Sequence, residues 1–217
     1  MHAASLVDSS WHSSELLELL DVELSAPVIH YLVEYISDIV DDALDRSSVV
    51  PSHRPPSYIS DFFVFAAKVL YRAETTLSTL LVALAYLDRV SDVVCVASEE
   101  WALERLFLGA VICASKYAND SSLRNVHWAM CTQGLFGTRD IGLMEGEFLK
   151  VLRWRLGISE ADVMAHRERI MAVVGHGAVK TGLTAGNLNT PPGLASRPQH
   201  RHRHTCSVSS IDSTSSS

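Results

Sequence analysis

Residues 106–114 of this 217-residue chain read LFLGAVICA, a run without one polar side chain, and Ser115 and Lys116 follow it at once. No proline falls between Ser57 and Thr190, and apolar residues recur through that stretch at helical spacing, so the run belongs to a helix. A helix that is apolar all round has to be enclosed by other elements when the surroundings are water. It is also well short of the about 20 residues needed to cross a bilayer. The chain must therefore supply a ring of helices around this one. That requirement points to an all-α fold in which a central helix is packed by four neighbours, rather than to an up-and-down bundle.

Five helices can be placed in the proline-free stretch. The first covers about 58–71, with Ile59, Phe62, Phe63, Ala66 and Leu70 on one side, and the second about 76–90, with Leu77, Leu80, Leu81, Leu84 and Leu87. The central one opens at Ser98 as N-cap, carries Glu99 and Glu100 where the helix dipole favours acids, and runs to about Ala118. A fourth, about 123–133, stops at Gly134. The fifth starts from Thr138 as N-cap and runs to Leu156 before Gly157. A further helix is predicted over about 159–174. These elements make one domain, 58–175.

Upstream, 25–46 is an amphipathic helix with Ile29, Leu32, Val33, Ile36, Ile39 and Val40 as its stripe, and 47–57 is a linker by its Ser/Pro composition. Residues 1–24 read as a mostly flexible segment. Beyond Gly175 the periodicity gives way to Gly, Thr, Asn, Pro and Ser, so 176–217 is expected to be a disordered tail that cannot repay its ordering entropy.

Charge narrows the partners. Lys180, Arg197, Arg201 and Arg203 against Asp212 put the tail at net +3, so residues 1–175 carry −10 of the chain's −7. An acidic domain is a poor match for a phosphate backbone, and no nucleic-acid or membrane partner is expected. Cys95, Cys113, Cys131 and Cys206 form no C-x-x-C pair and read as reduced residues of an intracellular protein, in the nucleus or cytoplasm. The N-terminus, MHAASLVDSSWHSSELLELL, lacks the basic region of a secretory signal.

Catalysis finds no foothold. There is no nucleophile elbow, phosphate loop, dinucleotide fingerprint or zinc-protease motif, and His127 beside Trp128 reads as a packing residue. No enzyme activity, cofactor, metal or small-molecule ligand is expected. The HRHRH run at 200–204 lacks a carboxylate or cysteine to complete a metal site and is incidental composition. Thr190-Pro191 is a minimal phosphorylation motif of a kind that arises by chance. Two charges stand out instead. Lys116 continues the row of Leu108 and Ile112, and Glu145 shares a row with Ile141, Leu149, Leu152 and Leu156, so each lies on an apolar ridge. Lys116 could cap carbonyls at its helix end, the two could pair with each other, or both could be held at the core rim for a partner.

The run AYLDRV (85–90), LGAVICASKYANDSS (108–122), HWA (127–129), GLF (134–136) and DIGLMEGEFLKVLRWRLGI (140–158) resembles a cyclin box. It looks most like the fungal PCL-type cyclins, partners of the phosphate-responsive cyclin-dependent kinase. The resemblance covers about 100 residues and implies a five-helix bundle wrapped around its third helix. It implies that Lys116 and Glu145 form the kinase-binding pair, that Tyr117 is the aromatic set against the kinase, and that Leu149, Trp154 and Leu156 lie on the matching face of the fifth helix. Asp88 matches the aspartate of the family's Y-[IL]-D-R motif and is expected to be structural.

The chain also departs from that pattern. Mitotic cyclins open their first helix with an arginine-bearing M-R-A-I-L stretch that pairs with this aspartate and docks substrates. PSYISDF (56–62) has no arginine, so docking of R-x-L motifs is not expected. Gly142 and Gly146 sit inside the fifth helix, where glycine costs about 1 kcal/mol each relative to alanine. No second cyclin fold is expected after Gly175. The implied function is that of a regulatory subunit that binds and activates a cyclin-dependent kinase, in cell-cycle or nutrient-linked control. The alternatives are a cyclin-fold transcription adaptor and a cyclin-like module that binds without activating.

Overall fold

The computed structural model describes residues 12–46, 57–96 and 100–180, with side chains to Gly175. The described residues form nine helices and no strand: α1 (Ser14–Leu20), α2 (Ala26–Arg46), α3 (Tyr58–Arg72), α4 (Leu77–Val90), α5 (Ala102–Ala118), α6 (Asn125–Cys131), α7 (Thr138–Val151), α8 (Glu160–Met164) and α9 (Arg167–Lys180). None of them is long and apolar enough to cross a membrane. The all-α architecture with a buried central helix matches the expectation. Every residue of α5 from Leu106 to Ala114 is buried, and α4, α7, α2 and α3 enclose it.

The boundaries show what local sequence could not supply. α5 begins at Ala102 rather than near Ser98, because Trp101 adopts a left-handed conformation (φ 60°) that interrupts any earlier turn; Ser98 lies outside the described residues. α6 stops as expected, where Gln133 and Gly134 turn left-handed, at φ 58° and 79°. α7 is capped by Gly137 rather than Thr138: the Gly137 N–H donates to Asp140 Oδ2 at 3.0 Å. The helix expected over 159–174 is broken into α8 and α9, and α9 continues past Gly175 to Lys180, so the expected domain end falls within a helix. The rest of the tail lies outside the described residues, as do 1–11 and the 47–56 linker.

Two further differences concern the N-terminus. Residues 14–20, expected to be flexible, form α1. Ser13 caps it by accepting from the Leu16 N–H, and Leu16 and Leu19 turn inward to join the core. α2 forms as expected but does more than lie against the domain. Its Val28, Leu32, Val33, Ile36 and Val40 are fully buried, and it packs on α3, α5 and α9. One wall around the central helix is thus built from sequence that precedes the 58–175 stretch.

α5 and α7 cross closely at Gly109. A Cβ built on Gly109 would stand 2.8 Å from Phe148 Cβ, closer than two carbons tolerate. Gly146, by contrast, has open space around it.

Two outcomes follow for stability. Gly109→Ala must push α5 and α7 apart at an overpacking cost of about 1–3 kcal/mol. Gly146→Ala should gain up to about 1 kcal/mol of helix propensity, raising Tm by about 2–4 °C. Thermal melts of the pair check the opposite signs, and a Gly109→Ala protein as stable as the parent would refute the close crossing. Removing residues 1–50 strips seven buried Val, Leu and Ile side chains of α2 from the core, each contributing about 1.5–3 kcal/mol. The truncated chain should self-associate or fail to fold, as light scattering and size-exclusion would report.

Candidate functional site

Lys116 stands in the last turn of α5, one residue beyond the fully apolar run and Ser115. Its Nζ donates to both carboxylate oxygens of Glu145 on α7, each at 2.6 Å, and to Asn125 Oδ1 at the start of α6 at 3.1 Å. The convergence of three helices on one ammonium depends on glycine. Gly109 lets α7 come close, and Gly142 leaves room for Asn125, whose Nδ2 would lie 3.2 Å from a Cβ there. Of the readings left open for the two charges, mutual pairing is therefore present in the free chain. The pair is not sealed: the side chains keep 32% and 18% of their exposure. Coulomb energy at such a site is screened, so its contribution to folding is about 0–1 kcal/mol. Beneath it lies the buried thiol of Cys113, pushed up to about 12 by burial and by Glu145, with Lys116 opposing, and inert as a nucleophile.

Tyr117 follows Lys116, with its ring 45% exposed and edge-on to Tyr86 at 6.1 Å between centroids. Its hydroxyl accepts from the Ile158 N–H at 3.3 Å. Leu149 is half-buried against the core. Trp154 and Leu156 need a correction: neither lies on α7. The helix ends at Val151, and Arg153 and Trp154 then take consecutive left-handed conformations (φ 53° and 57°), which disfavour L-residues by about 1–2 kcal/mol each. The resulting turn throws Trp154 outward, 65% exposed, and folds Leu156 back against the core.

That turn is held from α4. The Tyr86 hydroxyl donates to Leu156 O at 3.0 Å. Arg89 donates to Arg155 O at 2.6 Å, Gly157 O at 2.7 Å and Asp162 Oδ2 at 3.0 Å. Asp162 is itself fixed by the Ser159 N–H and hydroxyl, both at 2.7 Å. Between them in sequence, Asp88 accepts from the Tyr35 hydroxyl on α2 and meets His166 Nε2 at 2.9 Å, while His166 Nδ1 lies 2.6 Å from the Tyr31 hydroxyl. Asp88 is thus met by a tyrosine of α2 and by a histidine that a second tyrosine of α2 holds. Only Asp88 was singled out from the sequence. The available signal for the others was a pair of tyrosines, 31 and 35, one helical turn apart in an aliphatic stripe.

A model of the cyclin N-terminal domain matches residues 46–157, and the chain belongs to the cyclin family. Among curated proteins of Saccharomyces cerevisiae it is similar to PHO85 cyclin-1, 27% identical over 157 residues, which are 69% of this chain and 56% of that protein. PHO85 cyclin-9 and PHO85 cyclin-2 are each 28% identical, over 151 and 154 residues, covering 69% of this chain and 48% of theirs. The chain spans about half the length of the curated relatives it matches.

Two carboxyls should give opposite pH responses. Burial pushes the Asp88 carboxyl up, but hydrogen bonds from His166 and Tyr35 outweigh it and hold the group below its ordinary 3.8. Stability from Asp88 is then present above that value and lost as pH falls through the lowered one. A third of this side chain reaches solvent, so the expected loss for Asp88→Asn at pH 7 is about 1 kcal/mol, with a flatter acid limb below about pH 4. Glu104 is buried, its Oε2 has no hydrogen-bond partner among the described residues, and burial pushes its carboxyl above 4.5. Its ionisation costs stability as pH rises, so Glu104→Gln should stabilise the chain at pH 7. Urea unfolding of both variants between pH 3 and 7 reads out the two signs.

Proposed function

We propose that the chain is the regulatory subunit of a cyclin-dependent protein kinase, of the PCL type, and that it binds and activates a kinase of the sort its relatives are named for. The observation that carries this reading is the half-buried Lys116–Glu145 pair at the end of the helix that holds the apolar run, with Tyr117 exposed next to Lys116 in sequence and Trp154 exposed at the turn after α7. A screened ion pair contributes little to the free chain, and exposed aromatics next to a charge are what interface anchors look like before docking. Lys116 and Glu145 anchor the kinase, Tyr117 and Trp154 pack on it, and Leu149 and Leu156 support that surface from below. Catalysis belongs to the kinase. The cyclin holds the kinase C-helix inward, so that its glutamate pairs with the lysine that positions ATP phosphates. The complex works inside the cell, in nucleus or cytoplasm, in cell-cycle or nutrient-linked control.

A transcription adaptor of cyclin fold would need a basic face, against the −10 carried by residues 1–175. A binding module that does not activate was suggested by the glycines of α7. They leave the helix continuous from Thr138 to Val151, with Gly142 fitted against Asn125, which removes that motive.

The decisive variants are Lys116→Ala and Glu145→Ala. Each should change folding stability by no more than about 1 kcal/mol. On docking, the surviving charge is desolvated without its partner, which costs about 2–5 kcal/mol, so affinity for purified PHO85 kinase of Saccharomyces cerevisiae should fall at least about tenfold. Melting and affinity are measured on the same preparations. Early unfolding with unchanged affinity of the folded fraction would mean that the pair serves the fold alone.

A further inference from the structure

Between Leu152 and Ser159 the chain does something that its own sequence does not favour. Arg153 and Trp154 are both left-handed and neither is glycine, and the turn ends with the largest side chain in the chain pointing into solvent. Backbone strain of this kind persists only where surrounding contacts over-determine it. The local bonds close the end of α7: the Arg153 N–H donates to Lys150 O at 3.0 Å, the Trp154 N–H to Leu149 O at 3.1 Å, the Arg155 N–H to Leu152 O at 3.1 Å, and the Leu156 N–H to Trp154 O at 3.0 Å. Beyond residue 154 the turn is held largely from α4. Arg89 takes the carbonyls of Arg155 and Gly157, on either side of Leu156, and its bond to Asp162 ties the same group to the start of α8. Tyr86, one turn earlier on α4, takes the carbonyl of Leu156 itself. Three successive carbonyls, 155, 156 and 157, are thus received by two side chains of one helix. Arg89 lies 6.0 Å above the Tyr86 ring, and Tyr86 is edge-on to Tyr117, so the clamp is continuous with the second exposed aromatic.

We infer that Arg89 is a positioning residue for the partner surface: it contacts no partner, and it holds the 153–157 turn so that Trp154 is presented at a fixed place. This rests on the reading of Trp154 as a kinase contact. A planar guanidinium suits the role because it can meet two carbonyls and a carboxylate from one fixed fork, which a lysine ammonium on a flexible stem cannot reproduce. A purely structural Arg89 would stabilise the fold and leave the aromatic to find its place on docking. The geometry argues against that, since the strained residue and the exposed residue are the same one.

The test is a double-mutant cycle on affinity for purified PHO85 kinase of Saccharomyces cerevisiae, using the full chain, with Arg89→Gln, Trp154→Ala and the double variant. Lys116→Ala serves as the control for the underlying reading. The expected result is a loss of about fivefold or more from Arg89→Gln with Trp154 present and less than about twofold in the Trp154→Ala background, because a residue that acts through another has nothing left to position. In the free chain labelled with 5-fluorotryptophan, Arg89→Gln should shift or broaden the 19F resonance assigned to Trp154 by Trp154→Phe and leave those of Trp101 and Trp128 in place. Equal losses in both backgrounds overturn the inference, as does an unmoved Trp154 resonance. An unchanged affinity for Arg89→Gln while Lys116→Ala binds weakly overturns it and leaves the kinase-contact reading standing. If the parent does not bind, or if neither Lys116→Ala nor Trp154→Ala weakens binding, that reading falls and the inference with it. Should Arg89→Gln fail to fold, Arg89→Lys takes its place in the cycle with the same outcomes.

Discussion

The approach of α5 to α7 at Gly109 is the constraint from which the rest of this molecule follows. With no side chain on α5 at that point, Phe148 of α7 sits directly against its backbone. The same closeness puts the Cys113 sulfur 4.0 Å from Glu145 O and brings the Glu145 carboxylate within reach of Lys116 one turn later. Were the helices a methyl group further apart, the ammonium would face water and Asn125 alone. The apolar run of α5 explains why the helix must be enclosed, and Gly109 explains how closely. The Lys116–Glu145 pair is thus a consequence of core packing, with both side chains still in part reaching solvent.

A second hub lies at the C-terminal end of α4, where Tyr86, Asp88 and Arg89 point in different directions and each fastens a different part of the chain. Asp88 reaches α2 through Tyr35 and the start of α9 through His166, and His166 returns to α2 at Tyr31. Ser13 to Glu160 and Arg167 to Glu18 add ties between the N-terminal and C-terminal helices near the surface. The five-helix bundle is therefore held in a collar made of α1, α2, α8 and α9. Buried polar contacts of this kind contribute more to a unique arrangement than to net stability, since each partner left alone would be an unsatisfied buried group.

How much of this could be read from residues alone depends on whether the information was local. Helix-forming periodicity and the all-apolar run made α3, α4, α5 and the central packing legible, and the ridge positions of Lys116 and Glu145 marked them out before any geometry was known. The end of α7 was not legible. Leu149, Leu152 and Leu156 continue a helical row without a break in sequence, and Gly157 offers an ordinary stop, yet the chain turns five residues early and its carbonyls accept from Tyr86 and Arg89, some 70 residues away. Trp101 misled in the same way, because nothing in ALERLF announces that the residue before it is left-handed. α1 was overlooked since seven residues carry too few turns to show a period, and its order comes from burial of Leu16 and Leu19. The partners of Asp88 were hidden for a plainer reason: Tyr35 and His166 lie 53 and 78 residues away in sequence, beyond the reach of any local pattern.

These features bear on why a chain would run its most apolar helix into a lysine. A charge deep in the core would have to be fully paired and would gain nothing from a partner. A charge on an open face would be screened and would confer little affinity. At the rim, with Glu145 on one side, solvent on the other and the exposed Tyr117 next in sequence, the ammonium is held in place at small cost while its surroundings can still be dehydrated by a docking surface. The aromatics supply apolar area, which carries little directional information, and the ion pair supplies direction, because a misaligned partner would dehydrate both charges without satisfying either. Order imposed from the core at Gly109 and order imposed from α4 at Arg89 thus meet at one small surface.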